Sequence, residues 1–376
     1  MKQKSIGKTI LKVTGAVLAL AILVLGISMI NNRIRINRAG EEMKDRGLYN
    51  PVSVGDHSLN VNIVGNSEGK HRIVTLSGWE DGTVAVSWRK FTEPFEKDNE
   101  LIFIDRAGYG MSDDTDVDEY TAARTIEEYR TALKNAGVEA PYVLLGHSIG
   151  GLYSTYWVSH CPDEIEAVMI MDGSYPVPNA PEFTSSDAMY MKMAPYIENI
   201  RCRSGYARAF GTGYEEFLTD LTDEDSELSK EMLIKTGCAT NPVNELAAFS
   251  DYTLMDEVFG DIRTNDIPKI YICSSSAYET EDEMIESGFD PETDLWIPES
   301  MIEDIEQKTG YTDDDMTEIM LEYFRTEREE SIKPYLEKMG NCKLECLAGD
   351  HVIYLDRTEE VQEILTSFLS GIDEGS

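Results

Sequence analysis

The chain has 376 residues, 41% of them hydrophobic, which is enough apolar content to bury a large core and to set disorder aside. Its charge is unevenly divided: residues 1–46 hold nine Lys/Arg against three Asp/Glu, and the remainder holds 24 against 67. So acidic a body repels phosphate backbones and anionic headgroups, which argues against nucleic acid as a partner, although such charge ordinarily serves solubility alone.

Six cysteines, Cys161, Cys202, Cys238, Cys273, Cys342 and Cys346, show no C-x-x-C spacing and no clustered histidines, so no metal and no cofactor is expected. Cys342 with Cys346, and Cys202 with Cys238, leave one or two disulfides open if the body lies outside the cytoplasm.

From Val13 to Ile30 the chain carries no charge, and Lys2, Lys4, Lys8 and Lys12 precede it. That is long enough to span a bilayer. A cleavable signal peptide has a shorter apolar stretch and a small-x-small end, whereas this run leads into NNRIRINR, so an uncleaved anchor is expected. Arg33, Arg35 and Arg38 nearly balance the four lysines; the short basic start places the N-terminus inside and the body outside the cytoplasmic membrane. The expected division is residues 1–30 as basic segment and anchor, 31–50 as polar linker, and 51–372 as the main domain.

In that domain VSVGDHSLNVNIVG reads as two short strands around Gly55-Asp56, and RIVTLSG as a buried strand. A helical stretch through Trp88 and Phe95 leads to LIFID, and the amphipathic TAARTIEEYRTALKNAG leads to PYVLLG. Helix GLYSTYWVSH and strand EAVMIMD continue the alternation, the pattern of a mostly parallel sheet flanked by helices. A helical insertion, placed like a lid, interrupts it at about 175–263 before the strand IPKIYICSS. An acidic helical insertion follows at about 279–339, a composition usual for a solvated face, then strand CKLECLAG and helix TEEVQEILTSFL. Met189, Met191 and Met193 read as packing or a hinge within the lid ahead of an acyl pocket.

Gly146-His147-Ser148-Ile149-Gly150 matches G-x-S-x-G, a short motif that is weak alone. Here it follows PYVLLG and precedes GLYSTYWV, the strand–turn–helix setting in which a strained turn lifts a serine hydroxyl clear of a sheet and aims helical N–H groups at developing negative charge. Ser148 is therefore the expected nucleophile.

With this motif the chain resembles the α/β-hydrolase family over roughly residues 50–372, near members related to proline iminopeptidases and small esterases. Asp105-Arg106-Ala107-Gly108-Tyr109-Gly110-Met111-Ser112 is similar to the family's D-R-x-G-x-G-x-S segment and reads as structural, with Arg106 pairing Asp105 or a neighbour. The resemblance implies an oxyanion hole from the backbone N–H groups of Trp79, in Leu76-Ser77-Gly78-Trp79, and of Ile149; Ser77 stands where the family usually has His, and an ordinary glycine turn is the alternative for that segment.

The base belongs after the last strand, where a loop reaches back over the nucleophile. His57 and His71 lie near the first strands, His147 is expected to point away, and His160 ends a helix, which leaves His351 in LAGDHVIYLD, similar to the family's G-x-x-H segment. The family places the orienting carboxylate after its sixth or seventh strand. Asp172 at the tip of EAVMIMD is preferred as the rigid position, though an Asp there can also simply cap a turn; Glu279 is the alternative acid, since the usual Gly-x-x-Asp is missing after IPKIYICSS.

The resemblance thus implies a serine hydrolase that cleaves a small-molecule ester or related acyl bond. An aminopeptidase or acyltransferase using the same residues, or a silent extracytoplasmic binding module, are the alternatives.

Overall fold

The computed structural model describes residues 2–79, 82–115, 117, 119–175, 185–211, 221–276 and 332–375, with isolated positions 307, 310, 312 and 319. The strands β1 (Pro51–Ser53), β2 (Ser58–Gly65), β3 (Arg72–Leu76), β4 (Glu100–Asp105), β5 (Tyr142–His147), β6 (Ile165–Met171), β7 (Lys269–Ser276) and β8 (Cys342–Ala348) form one sheet in the order β1-β2-β4-β3-β5-β6-β7-β8. β2 runs antiparallel to β1 and β4, and all later neighbours pair in parallel. This is the mostly parallel sheet that the alternating pattern predicts.

Continuous apolar runs become central strands because helices cover both faces. All six residues of β5 are buried. On one face α4 (Ala122–Ala136), α5 (Ile149–His160), α10 (Thr253–Gly260) and α11 (332–339) bring Tyr129, Trp157, Val258 and Tyr335 into one cluster. On the other, α2 (Val84–Ser87), α3 (Arg89–Thr92), α12 (Ile353–Asp356) and α13 (Thr358–Gly375) pack Ala85, Phe91, Tyr354 and Leu365 against β3, β4 and β5. The Thr121 hydroxyl accepts the Arg124 N–H at 3.2 Å, satisfying one of the N–H groups that the first turn of α4 leaves open.

Between β6 and β7 the chain forms α6 (Ser185–Ser204), α7 (Tyr206–Phe210), α8 (Asp223–Cys238), α9 (Asn241–Ser250) and α10, so the described part of 175–263 is mostly helical. Most of 279–339, including Glu279, lies outside the described residues; α11 is its described end and packs Tyr335 and Met339 into the core. Met189 and Met191 have no described side chains, while Met193 is exposed and so takes no part in core packing.

Two expectations need correction. The stretch 31–50, read as a polar linker, is helical through Asp45: α1 (Lys2–Asp45) runs on from the apolar segment, burying Asn32, Ala39 and Met43 beside Leu228 and Met232 of α8. Charged residues such as Lys44 and Glu41, an i,i+3 pair, form an outer face, while the inner face packs. The disulfides left open, Cys202 with Cys238 and Cys342 with Cys346, are not bonded in this structure. Cys342 and Cys346 lie in one strand, four residues apart and hence about 13 Å, far beyond bridging reach.

From Lys12 to Asp45 α1 contains a window of mean hydropathy 2.6 with none of it buried, long and apolar enough to cross a membrane. Val13, Leu20, Ile22 and Ile30 are each at least half exposed along it.

Candidate active site

The turn between β5 and α5 is built on close backbone approach. A Cβ on Gly146 would lie 2.6 Å from Ser154 Oγ, and one on Gly150 would lie 1.8 Å from the Leu76 carbonyl, so neither position accepts a side chain. Ser148 between them adopts φ 54° and ψ −125°, a strained conformation for a non-glycine residue. Its own carbonyl accepts the N–H groups of Gly151 at 2.9 Å and Ser174 at 2.8 Å, which fixes the turn against the chain leaving β6.

Ser148 Oγ lies 2.9 Å from His351 Nε2, and His351 Nδ1 lies 2.7 Å from Asp172 Oδ2. Three residues far apart in sequence therefore form one hydrogen-bonded line. Asp172 follows the end of β6 with φ 38°, is 4% exposed, and accepts the Ser274 N–H at 3.0 Å through its other oxygen. The His351 side chain is 46% exposed, so the line runs from a buried carboxylate to an imidazole open to solvent. The loop holding His351 is pinned by Asp356, which accepts the Asp350 N–H at 2.7 Å, and by Arg357, which donates to the Ala348 carbonyl at 3.2 Å.

His147 does not point away from this line. It is buried, its ring centroid lies 4.8 Å from that of His351, and its Nε2 lies 2.8 Å from the His351 backbone carbonyl. Burial, and after it the neighbouring His351, push the His147 imidazole down to about 3. His147 is thus a neutral ring whose Nε2–H donates to the carbonyl of the residue beside the nucleophile. The sequence context, a residue flanked by Gly146 and Ser148, suggested only that its side chain should leave the site.

Arg106 contacts not Asp105 but Glu245 of α9, with Nε 3.0 Å from Oε1 and both side chains shielded from solvent. Asp105 instead accepts the Met111 N–H and the Val84 N–H, at 3.0 and 3.2 Å. The Glu245 carboxylate also accepts the hydroxyls of Tyr109, Tyr120 and Tyr153. Burial first, and then that carboxylate, hold all three phenols well above their ordinary pKa, which keeps them as donors.

The remaining Arg106 donors reach the oxyanion-loop segment: Nη1 to the Ser77 carbonyl at 2.7 Å, Nη2 to the Gly78 carbonyl at 3.0 Å. In a trans peptide the C=O and N–H point in opposite directions, so a Gly78 carbonyl held by Arg106 turns the Trp79 N–H away from it. The Trp79 indole is fixed in turn, donating to the Pro242 carbonyl of α9 at 3.0 Å. Ile149, the first residue of α5, is buried. Glu245 carried no sequence signal beyond lying in an apolar helix, since its partners come from three distant segments.

The α/β-hydrolase-fold family model matches residues 72–196. The chain is 33% identical over 243 residues to the uncharacterized protein YbdG of Bacillus subtilis, a match that covers 60% of this chain and 69% of that protein. An epoxide hydrolase from Bacillus megaterium superposes with a TM-score of 0.58 at 15% identity, covering 85% of this chain and 100% of that one. A bacterial membrane phospholipase A superposes with a TM-score of 0.52 at 14% identity, covering 99% of each chain.

Proposed function

The chain belongs to the α/β-hydrolase family and is a hydrolytic enzyme of that type, and on that premise we propose that it cleaves a carboxylic ester through an acyl-enzyme on Ser148. The observation that carries this reading is the hydrogen-bonded line from Ser148 Oγ through the His351 ring to Asp172. His351 Nε2 takes the hydroxyl proton as Ser148 attacks the acyl carbon, and Asp172 holds the ring in the tautomer that leaves Nε2 free to accept. The backbone N–H groups of Trp79 and Ile149 serve as donors to the oxyanion. Collapse of the tetrahedral intermediate returns that proton to the leaving alcohol. Water, deprotonated by the same ring, then releases the acid.

A serine at the nucleophile position supports acyl transfer. Neither a metal nor an organic cofactor enters these steps. The basic start before Val13 supports an orientation with the body outside the cytoplasmic membrane.

A panel of p-nitrophenyl esters of rising acyl length, run beside aminoacyl amides, tests the reaction class. Short to medium esters should turn over in the wild-type chain and stop in Ser148→Ala. Cleavage of the amides with no turnover of any ester would replace this reading with a peptidase.

A further inference from the structure

Helix α6 carries an apolar stripe on its outer side. Met193, Tyr196, Ile197 and Ile200 are spaced i, i+3, i+4 and i+7, and all four are exposed, Ile200 at 66%. Helices that pack on a core show this spacing turned inward. The stripe continues into α7, where the Tyr206 and Phe210 rings lie tilted with centroids 4.5 Å apart and Phe210 is 73% exposed.

The membrane helix meets this stripe where α6 passes into α7. Ser28, inside the uncharged run of α1, donates to the Ser204 carbonyl at 2.8 Å. Asn32, one turn further, donates to the Cys202 carbonyl at 2.9 Å and accepts from Arg208 Nε at 3.1 Å. Gly205 packs so closely on α1 that a Cβ there would lie 2.5 Å from Ser28 Oγ. Beyond, Arg35 and Arg46 reach Glu231 and Asp225 of α8 at 3.1 and 2.6 Å. The anchor is therefore fixed to the cap helices by its last membrane turn.

We infer that the outer side of α6 and α7 rests on the surface of the bilayer that α1 crosses, and that the substrate is an acyl amphiphile dissolved in that surface. The occupant follows from continuity, because α1 and the α6–α7 pair each carry exposed apolar side chains and touch at Ser28 and Ser204. Two tyrosines suit the headgroup level, where an apolar ring and a polar tip are both satisfied. The acidic body favours a zwitterionic surface over an anionic one. The seat is also mechanically close to the chemistry. Asn199 of α6 donates to the Gly237 and Ala239 carbonyls at the end of α8, and the next helix, α9, holds the Trp79 indole. The substrate class rests on the ester-hydrolase reading above; the seat does not.

The test uses the full chain in phosphatidylcholine vesicles, with p-benzoylphenylalanine placed in turn at Ile200, at Phe210 and, as control, at Lys97 near the strand-start end of the sheet. Irradiation should give lipid adducts at 200 and 210 and only background at 97. Adducts no greater than at 97, or adducts chiefly to a second copy of the chain, would overturn the seat. Ile200→Asp combined with Phe210→Asp should then slow hydrolysis of a long-chain ester embedded in the vesicles about fivefold or more, while a water-soluble short ester is hydrolysed at an unchanged rate. Equal effects on both esters would overturn the substrate class. If no variant hydrolyses any ester, the catalytic reading fails while the lipid adducts still decide the seat.

Discussion

Arg106 and Glu245, 139 residues apart in sequence, form an ion pair from which solvent is excluded on both sides, and that pair joins the cap helix α9 to the Ser77–Gly78 segment. Its energetics are asymmetric. Removing one partner strands a buried charge, whereas removing both at similar volume leaves none.

Glu245→Ala should therefore lower the unfolding free energy by about 3–5 kcal/mol in urea titrations. Arg106→Met with Glu245→Leu should recover part of that loss and still lose activity, because the Arg106 Nη2 donor to the Gly78 carbonyl would be gone. A double variant as unstable as the single one would show that the pair has no such asymmetry.

Gly150→Ala brings a Cβ to 1.8 Å from a backbone carbonyl of β3, which no rotamer change relieves. The expected result is loss of the soluble fold or a destabilisation above about 3 kcal/mol, read from thermal melts. A well-folded variant of native melting temperature would mean that the turn is looser than this packing.

Asp172→Asn keeps the size of the side chain and loses the charge facing His351 Nδ1. Ester turnover should fall by about 10²–10⁴-fold with circular dichroism unchanged, whereas Glu279→Gln should stay within about twofold of wild type. The reverse ranking would move the acid to Glu279.

His147 makes a pH prediction with a definite sign. Its folded value of about 3 lies below the 6.5 of an unfolded imidazole, so under acid the unfolded chain binds a proton that the folded chain refuses. The stability involved is complete above pH 6.5 and drains away as pH falls toward 3, on the order of 2–3 kcal/mol of it by pH 4.5. Urea titrations of wild type and His147→Gln at pH 7 and pH 4.5 measure this directly. The stability gap between them should narrow on acidification, and a gap independent of pH would contradict the assignment.

The sheet was legible in the sequence because its central strands are buried on both faces, so LIFID, PYVLLG and EAVMIMD read as uninterrupted apolar runs. Ser148 stood out because its motif lies between such a run and a helix, and His351 because a single histidine follows the last strand. Local pattern could not reach the Glu245 cluster, whose members come from β4's loop, the start of α4, α5 and α9 and meet only in three dimensions. Nor could it reach the helix over 31–45, where the polar residues that suggested a linker form one face and Ala39 and Met43 form another. The preference for Asp172 over Glu279 rested on strand rigidity; the structure adds the 2.7 Å contact with His351 Nδ1 for the first and describes nothing of the second.

The most direct measurement is labelling of the full chain with a fluorophosphonate probe, followed by peptide mapping. The account predicts one adduct, on Ser148, absent in Ser148→Ala and strongly slowed in His351→Ala. A folded wild-type chain that takes no label, or a Ser148→Ala chain that is labelled as fast as wild type, would contradict it.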